Sequence, residues 1–167
     1  MIDFVHLFSG IPKEIATFFI AMLPIGELRA SIPIALGVYN LSWSQAFFWS
    51  VLGNIIPVVL ILLCLEPLSW FLSKHFKIFE RFFLWLFAWT RKKHNHRFEK
   101  WGAVTLIAFV AIPLPMTGGW TGAVAAFVFG IPFRKSLPLI FSGILIAGII
   151  VTLTSLGVSF SFNFLNR

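Results

Sequence analysis

Three long stretches without a charged side chain constrain this 167-residue chain more than any other feature. They run from Ala30 to Leu65, from Trp101 to Phe133 and from Ser136 to Asn166. Each is longer than the roughly 20 apolar residues of one membrane-spanning helix. Only 11% of the chain is charged, against about 25% in a soluble domain. The sequence therefore predicts a single domain over residues 1–167, an all-α polytopic membrane protein in which some segments fold back.

The first half of the chain predicts a broken helical hairpin followed by a spanning helix. Residues 15–39 are apolar except at Pro24–Pro33, where two prolines and a glycine accompany the opposite charges of Glu27 and Arg29. A regular spanning helix would place both charges near the bilayer centre, at a cost of about 2.5 to 3.5 kcal/mol for each. We therefore expect a re-entrant hairpin with its tip at this motif, followed by a transmembrane helix over residues 46–65.

The second half follows the same plan. Residues 101–133 are uncharged, and Pro113–Gly122 near their centre carries two prolines and three glycines. Two complete spans need about 40 residues, so this segment fits a second re-entrant hairpin, and residues 136–160 fit a second transmembrane helix. The shared order of hairpin, tip and spanning helix predicts an inverted repeat.

Residues 66–100 join the two halves and hold eight of the 13 Lys and Arg residues, among many Phe and Trp residues. This composition is typical of an amphipathic segment at a membrane interface. We expect a basic connector that faces membrane lipids with anionic head groups. Its basic patch consists of Arg91, Lys92, Lys93, Arg97 and Lys100.

The distribution of cations predicts the orientation of the chain. The turn at residues 40–45 has no cation, whereas the turn at residues 132–135 carries Arg134 and Lys135. In the expected topology this second turn and residues 74–100 share one side of the membrane. The positive-inside rule places that side in the cytoplasm.

The same sequence argues against several other classes of protein. One cysteine, Cys64, allows neither an intrachain disulfide nor a thiolate cluster, and His94 and His96 lack nearby acidic partners, so we expect no metal site. No nucleophile with its base and no phosphate-binding loop occurs, so we expect no enzyme and no cofactor. The basic residues that give the net charge of +7 lie beside membrane segments, which favours lipid over nucleic acid as the partner.

The two predicted tips carry the candidate functional residues. The second half-helix of each hairpin presents its N-terminus at the tip, where free amide groups favour anions. Arg29 adds planar donors that suit phosphate. Ser31, with Pro33 behind it, is a candidate cap of one half-helix, and Thr117 or Thr121 of the other. The candidate substrate-binding residues are Glu27, Arg29, Ser31, Pro33, Pro113, Pro115, Thr117, Gly118, Gly119, Thr121 and Gly122.

Several of these residues keep two interpretations. Glu27 and Arg29 form either a structural ion pair or a functional pair in which Glu27 exchanges a proton during transport. The three glycines of the second motif either contact substrate or allow close helix packing. Asn54 and Pro57 fit an inward-facing polar contact and a helix kink better than they fit ligands.

The motifs Pro24–Pro33 and Pro113–Gly122 together resemble the small multidrug export protein family of bacteria and archaea, over most of residues 15–160. That family is similar to the DedA, or SNARE-associated (VTT), superfamily. Members of the superfamily have facing re-entrant hairpins, and several are implicated in moving phospholipids or the undecaprenyl phosphate carrier.

The resemblance implies a multi-pass protein of a bacterial or archaeal plasma membrane. It also implies that Glu27 takes the place of the acidic residue in the superfamily's first hairpin, and Gly122 that of the small residues after its second tip. DedA proteins carry arginines around the second proline motif, whereas Phe109–Gly122 contains none. This departure leaves the substrate open.

Three functions are compatible with this sequence. The leading hypothesis is a transporter or flippase of an anionic amphiphile, foremost a lipid phosphate such as a polyprenyl phosphate or a phospholipid, bound between the two tips. The second is a small-molecule or multidrug exporter with proton or ion coupling, in which Glu27 exchanges the proton. The third is a non-transporting scaffold whose basic connector recruits lipid or a partner. Under each of these hypotheses, much irregular backbone must be shielded from lipid, so we expect a homodimer.

Overall fold

The computed structural model describes residues 10–75, 96–114 and 117–165, together with positions 77 and 81. All regular structure within these residues is helical, which confirms the predicted all-α class. The helices are α1 (Lys13–Met22), α2 (Glu27–Gly37), α3 (Trp43–His75), α4 (His96–Ala111), α5 (Gly119–Val128) and α6 (Phe133–Leu165).

Two of these helices, α3 and α6, are long and apolar enough to cross a membrane. The qualifying segments are Trp43–His75 and Phe133–Val158, and each exceeds the roughly 20 residues that a bilayer core of about 30 Å requires. The predicted transmembrane segments, residues 46–65 and 136–160, fall on these two helices. The part of the chain that the structure describes therefore contains two candidate membrane spans.

Helix α3 extends beyond the segment that the sequence assigned to it. It continues through Glu66 and Pro67, which we interpreted as the start of the connector, and ends at His75. A proline within an apolar helix is tolerated where neighbouring groups satisfy the backbone, and Leu68 and Trp70 continue the exposed apolar surface. Most of the remaining predicted connector, residues 78–95, lies outside the described residues apart from position 81.

The chain divides into two compact units, of which the first contains residues 1–56 and 144–167. In this unit α1 and α2, of 10 and 11 residues, pack against each other as a helical hairpin. A ten-residue helix rises only about 15 Å, about half of the hydrocarbon thickness. Neither helix can span a bilayer alone, as the prediction of a broken hairpin requires. The buried centre of this hairpin consists of Ala16, Ile20 and Tyr39, with Ala30, Ile34 and Leu41 packed around it.

Polar contacts fix the end of this hairpin that is opposite its turn. Lys13 Nζ donates a hydrogen bond to the carbonyl oxygen of Tyr39 at 3.0 Å. Ser42 and Gln45 then form a capping box at the start of α3: the Gln45 amide donates to Ser42 Oγ at 3.3 Å, and the Ser42 amide donates to Gln45 Oε1 at 3.2 Å. The start of α1 is therefore tied to the segment after α2, and a capping box closes the start of α3.

Glycines bring α3 close to its neighbours in the first unit. A Cβ atom added at Gly53 would lie 2.9 Å from the Ala21 Cβ atom and would collide with the carbonyl oxygen of Phe18. A Cβ atom added at Gly148 of α6 would lie 2.8 Å from the ring of Phe47. The first half of α3 therefore packs tightly on α1 at one side and on α6 at another.

The second unit contains residues 57–143, in which α4 and α5 form another pair of short helices. Val110 of α4 fills the space beside two glycines, because added Cβ atoms would lie 2.5 Å from it at Gly122 and 2.6 Å from it at Gly143. Within the described residues, each half of the chain thus contains two short helices followed by a long one. The inverted relation of the two halves, and the re-entrant path of each hairpin, stay predictions.

Candidate functional site

The turn between α1 and α2 contains the first predicted tip. Residues 23–26 make it, and the Glu27 amide donates to the carbonyl oxygen of Leu23 at 3.1 Å as α2 begins. Glu27 has a φ of 46°, in the left-handed region that a residue with a Cβ atom adopts at a cost of about 1 to 3 kcal/mol. The backbone is therefore strained at the acidic residue that the sequence singled out.

Burial distinguishes the two charged residues of this turn. Only 6% of Glu27 is exposed, and it lies on the buried face of α2 with Leu28 and Ser31. Arg29, two residues later, is half-buried. A carboxyl group taken out of water must be partnered or protonated, so the structure holds Glu27 in a setting where its charge state matters.

The structure corrects the predicted role of Ser31 as a helix cap. Helix α2 begins at Glu27, its N-cap is Gly26, and no side chain makes a cap hydrogen bond there. Ser31 instead lies in the second turn of α2 and is fully buried. Pro33, also a candidate, lies inside the helix with its side chain exposed. The prediction was wrong because the chain resumes its helix directly after Gly26, five residues earlier than a Ser31 cap would allow.

The turn between α4 and α5 contains the second predicted tip, and its threonines are not caps either. Thr117 Oγ1 lies 2.7 Å from the Ile112 carbonyl oxygen and 2.8 Å from that of Leu114. Thr121 Oγ1 donates back to the Gly118 carbonyl oxygen at 3.4 Å. The N-cap of α5 is Gly118, and no side chain makes a cap hydrogen bond there. Both hydroxyl groups donate to carbonyl oxygens, and Thr117 Oγ1 also accepts from the Leu114 amide of the turn at 3.2 Å, so neither group caps an amide of α5.

The glycines of this turn divide between two roles. Gly118 has a φ of 141°, a conformation that is essentially limited to glycine. Gly122 packs against Val110, which favours the helix-packing interpretation for this residue. Gly119 is buried in the first turn of α5 and Pro113 is half-buried. Substrate contact at Gly118 and Gly119 stays a prediction, and Pro115 lies outside the described residues.

The second unit also contains a cavity of about 490 Å³ that the sequence did not indicate. This volume lies in the range of about 300 to 1,000 Å³ that is usual for small-molecule sites. Lys74 Nζ lies 5.1 Å from the centre of the Trp70 ring, which lines the cavity. Ser69 and Ser73, one helical turn apart in α3, were the sequence feature that could have indicated this cavity, but they lie in the predicted connector. The lining residues are Leu62, Ser69, Trp70, Ser73, Phe127, Gly130, Ile131, Pro132 and Phe133.

The predicted basic patch is largely beyond what the structure describes. Arg91, Lys92 and Lys93 lie outside the described residues, and Arg97 and Lys100 are described only as backbone of the first turns of α4. In the described part of the chain, no group of three His, Cys, Asp or Glu residues is placed to hold a metal ion. The patch stays a prediction.

Two further polar residues, Ser50 and Asn54, lie on the part of α3 that packs against α1. Both are fully buried. Sequence reasoning passed over Ser50, and it expected Asn54 to make an inward-facing polar contact and not to bind a ligand, because neither residue carries a charge or belongs to a motif. Their burial depends on how α3 is rotated against its neighbours, and that rotation is a property of the folded unit.

Two long apolar helices, together with short-helix hairpins whose turns are rich in proline and glycine, are typical of an all-helical integral membrane protein. The sequence model of the family described as "Putative small multi-drug export protein" matches residues 27–150, which are 124 of the 167 residues. The chain belongs to this family, whose name is that of a membrane transporter. No curated protein and no solved structure matches the chain. The relation to the DedA superfamily stays a prediction.

Proposed function

We propose that this protein exports small amphipathic compounds across a membrane, and that Glu27 is the acid that exchanges a proton during export. The observation that carries the proposal is the burial of Glu27, 6% exposed, at a strained turn between two short helices. Ionisable residues inside membrane proteins usually mark ion or substrate pathways. The name of the family supports the same class of activity.

The proposed mechanism uses two charge states of Glu27. The ionised carboxylate attracts a cationic group of the exported compound, whereas the protonated carboxyl group does not. Proton and substrate therefore compete for the same group, and a proton moving down its gradient releases the substrate on the far side. A gradient of one pH unit supplies about 1.4 kcal/mol for each proton.

A second candidate function is the transport of a lipid phosphate, and two observations favour it. Arg29 lies two residues from Glu27, half-buried, with donors that suit a phosphate group. Lys74 lies over Trp70 at the cavity of the second unit, which suits an anionic amphiphile. A lipid phosphate carrier depends on Arg29, whereas an exporter of cationic compounds depends on Glu27.

The membrane arrangement belongs to the same proposal. We place both short-helix hairpins as re-entrant loops of an inverted repeat in a bacterial or archaeal plasma membrane. The basic residues Lys74, Arg134 and Lys135 then lie on the cytoplasmic side, as the positive-inside rule requires. A homodimer covers the irregular backbone of the two turns, which cannot face lipid.

Transport in proteoliposomes tests the proposed function. We would measure proton-driven movement of ethidium, a cationic dye, and in parallel the flipping of a fluorescent anionic phospholipid. The variants are Glu27→Gln and Arg29→Gln, and the matched control is Glu14→Gln, because Glu14 lies in the first turn of α1 at the other end of the hairpin.

Export of cationic compounds predicts that Glu27→Gln reduces ethidium transport at least tenfold while Arg29→Gln and Glu14→Gln leave it within twofold. Lipid phosphate transport predicts the opposite dependence, with flipping lost in Arg29→Gln. A non-transporting scaffold predicts neither activity in the wild-type protein, and that result would overturn both proposals.

A further inference from the structure

Buried polar side chains of the first unit fall into two groups. Thr17 is fully buried, and its hydroxyl group donates to the Lys13 carbonyl oxygen at 2.8 Å. Ser31, Ser50 and Asn54 are equally buried, yet among the described residues Ser31 Oγ, Ser50 Oγ and both polar atoms of the Asn54 amide have no hydrogen-bond partner. Buried polar groups are nearly always satisfied by protein or by water, so these atoms require an explanation.

Contacts and sequence spacing relate these side chains to the turn between α1 and α2. Gly53 packs against Ala21 in the last turn of α1, and Asn54 is the next residue of α3. Ser50 lies one helical turn before Asn54, and Ser31 lies one helical turn after Glu27 on α2. Ser31 therefore lies about one helical turn from Glu27, and Ser50 and Asn54 lie on the part of α3 that packs on the second half of α1.

The rotation of α3 shows where Ser50 and Asn54 point. Gly53 marks the side of α3 that faces α1, and Phe47 marks the side that faces Gly148 of α6. Successive residues of a helix are about 100° apart around its axis. Viewed along the axis of α3, Ser50 therefore lies about 60° from Gly53 and about 60° from Phe47, and Asn54 lies about 20° from Phe47. Both side chains occupy the arc between the two packed faces and point into the interior of the first unit.

The chemistry of these atoms indicates what they bind. Each hydroxyl group both donates and accepts a hydrogen bond, and the Asn54 amide offers donors at Nδ2 and an acceptor at Oδ1. A bare cation would satisfy the oxygen atoms and leave the Nδ2 donors unpaired. Water satisfies both kinds of atom, and a buried water typically makes about three such bonds.

The charged residues near this position are Glu27 and Arg29, and Glu27 is the acid of the two. The titratable residues in the described part of the first unit are Lys13, Glu14, Glu27, Arg29 and Tyr39. Lys13, Glu14 and Tyr39 lie at the end of the hairpin that is opposite the turn, because Lys13 Nζ donates to the Tyr39 carbonyl oxygen. Residues 43–56 of α3 and 144–161 of α6 carry no titratable group.

We propose that Ser31, Ser50 and Asn54 form a hydrated polar site inside the first unit, and that its water molecules carry the protons that Glu27 exchanges. The proton-carrying role rests on the proposed function, whereas the hydration does not. The site adds Ser50 and Asn54 to the residues of the first tip, as positioning residues that hold water beside the exchanging acid.

Thiol reactivity tests the hydration without any transport measurement. In a Cys64→Ser background, Ser50→Cys is compared with Val51→Cys, since Val51 is the adjacent buried residue and packs towards Gly148. A small, water-soluble methanethiosulfonate reagent should modify the Ser50→Cys protein at least tenfold faster than the Val51→Cys protein. Equally slow modification of both would show a dry interior and overturn the proposal.

Transport variants test the proton-carrying role. Asn54→Leu should reduce proton-driven ethidium export at least tenfold while dye binding stays within twofold, and Asn54→Ser, which keeps a hydrogen-bonding group, should retain most of the activity. The control is Thr152→Val, because the buried Thr152 hydroxyl group is already bonded to the Gly148 carbonyl oxygen at 2.7 Å. Melting temperatures confirm that each variant is folded.

The outcomes separate the two proposals. Normal export by Asn54→Leu, together with a raised melting temperature, would mean that the amide is only an unfavourable buried group, and would contradict the proton-carrying role. Fast modification of Ser50→Cys with no ethidium export by the wild-type protein would uphold the hydrated site while overturning the proposed function.

Discussion

Glu27 combines two features that are costly for an acidic residue. It is 6% exposed, and its φ of 46° belongs to a region that favours glycine. Sequence reasoning singled out this residue because a charge in a long apolar segment is visible without a structure, and its role in transport stays a prediction. It could not identify the strain, which depends on how the chain leaves Gly26.

Gly118 provides a stability prediction at the residue scale. Its φ of 141° is essentially limited to glycine, so Gly118→Ala should lower the free energy of unfolding by about 1 to 3 kcal/mol. The matched control is Gly37→Ala, because a Cβ atom added at Gly37 meets no atom within 4 Å. Thermal unfolding in detergent measures both. Equal melting temperatures for the two variants would contradict the assigned backbone conformation at Gly118.

At the scale of elements, the short helices were predictable and their caps were not. The proline and glycine motifs indicated correctly that the chain turns near residues 24 and 118. The threonine caps were wrong, because Thr117 and Thr121 reach carbonyl oxygens of the turn. A capping prediction depends on which residue begins the helix, and a shift of one to five residues changes every partner. The capping box of Ser42 and Gln45, by contrast, follows a Ser-x-x-Gln pattern that is visible in the sequence.

Helix packing in the first unit gives a prediction at the scale of elements. Gly53→Val should lower the free energy of unfolding by about 1 to 3 kcal/mol through overpacking, because an added Cβ atom collides with α1. The control is Gly157→Val, since a Cβ atom added at Gly157 meets no atom within 4 Å. Thermal unfolding again provides the comparison. A tolerated Gly53→Val would show that α1 and α3 are not in close contact.

The polar residues of α3 show where sequence reasoning stops. Pro57 and Asn54 stand out in an apolar helix, but Ser50 does not, since small polar residues are common in membrane helices. Whether such a residue faces lipid or protein depends on the rotation of the helix. That rotation is fixed by the contacts of Gly53 and Gly148, which are far apart in the sequence.

At the scale of the whole molecule, the composition was the most informative property. It predicted an all-α membrane protein, and the structure has two helices long and apolar enough to cross a membrane. The sequence also indicated the family, and the match to residues 27–150 confirms that membership. The substrate site between the two tips, the orientation and the inverted repeat stay predictions, because they depend on how the halves assemble in a bilayer.

The oligomeric state is a prediction at this scale. Irregular backbone at two turns cannot be exposed to lipid, so we expect a homodimer in a bilayer. Mass photometry of the protein in nanodiscs, supported by cross-linking at dilute concentration, measures the number of chains per particle. Particles that contain one chain and retain full transport activity would contradict the homodimer.

Proton release on substrate binding tests the central claim most directly. The purified protein is held in weakly buffered detergent at a pH where Glu27 is protonated in the resting state, and the pH is followed as ethidium is added. We expect the wild-type protein and Glu14→Gln to release protons in proportion to bound dye, and Glu27→Gln to release none. Equal proton release from Glu27→Gln and the wild-type protein, or dye binding without any release, would show that Glu27 is not the exchanging acid.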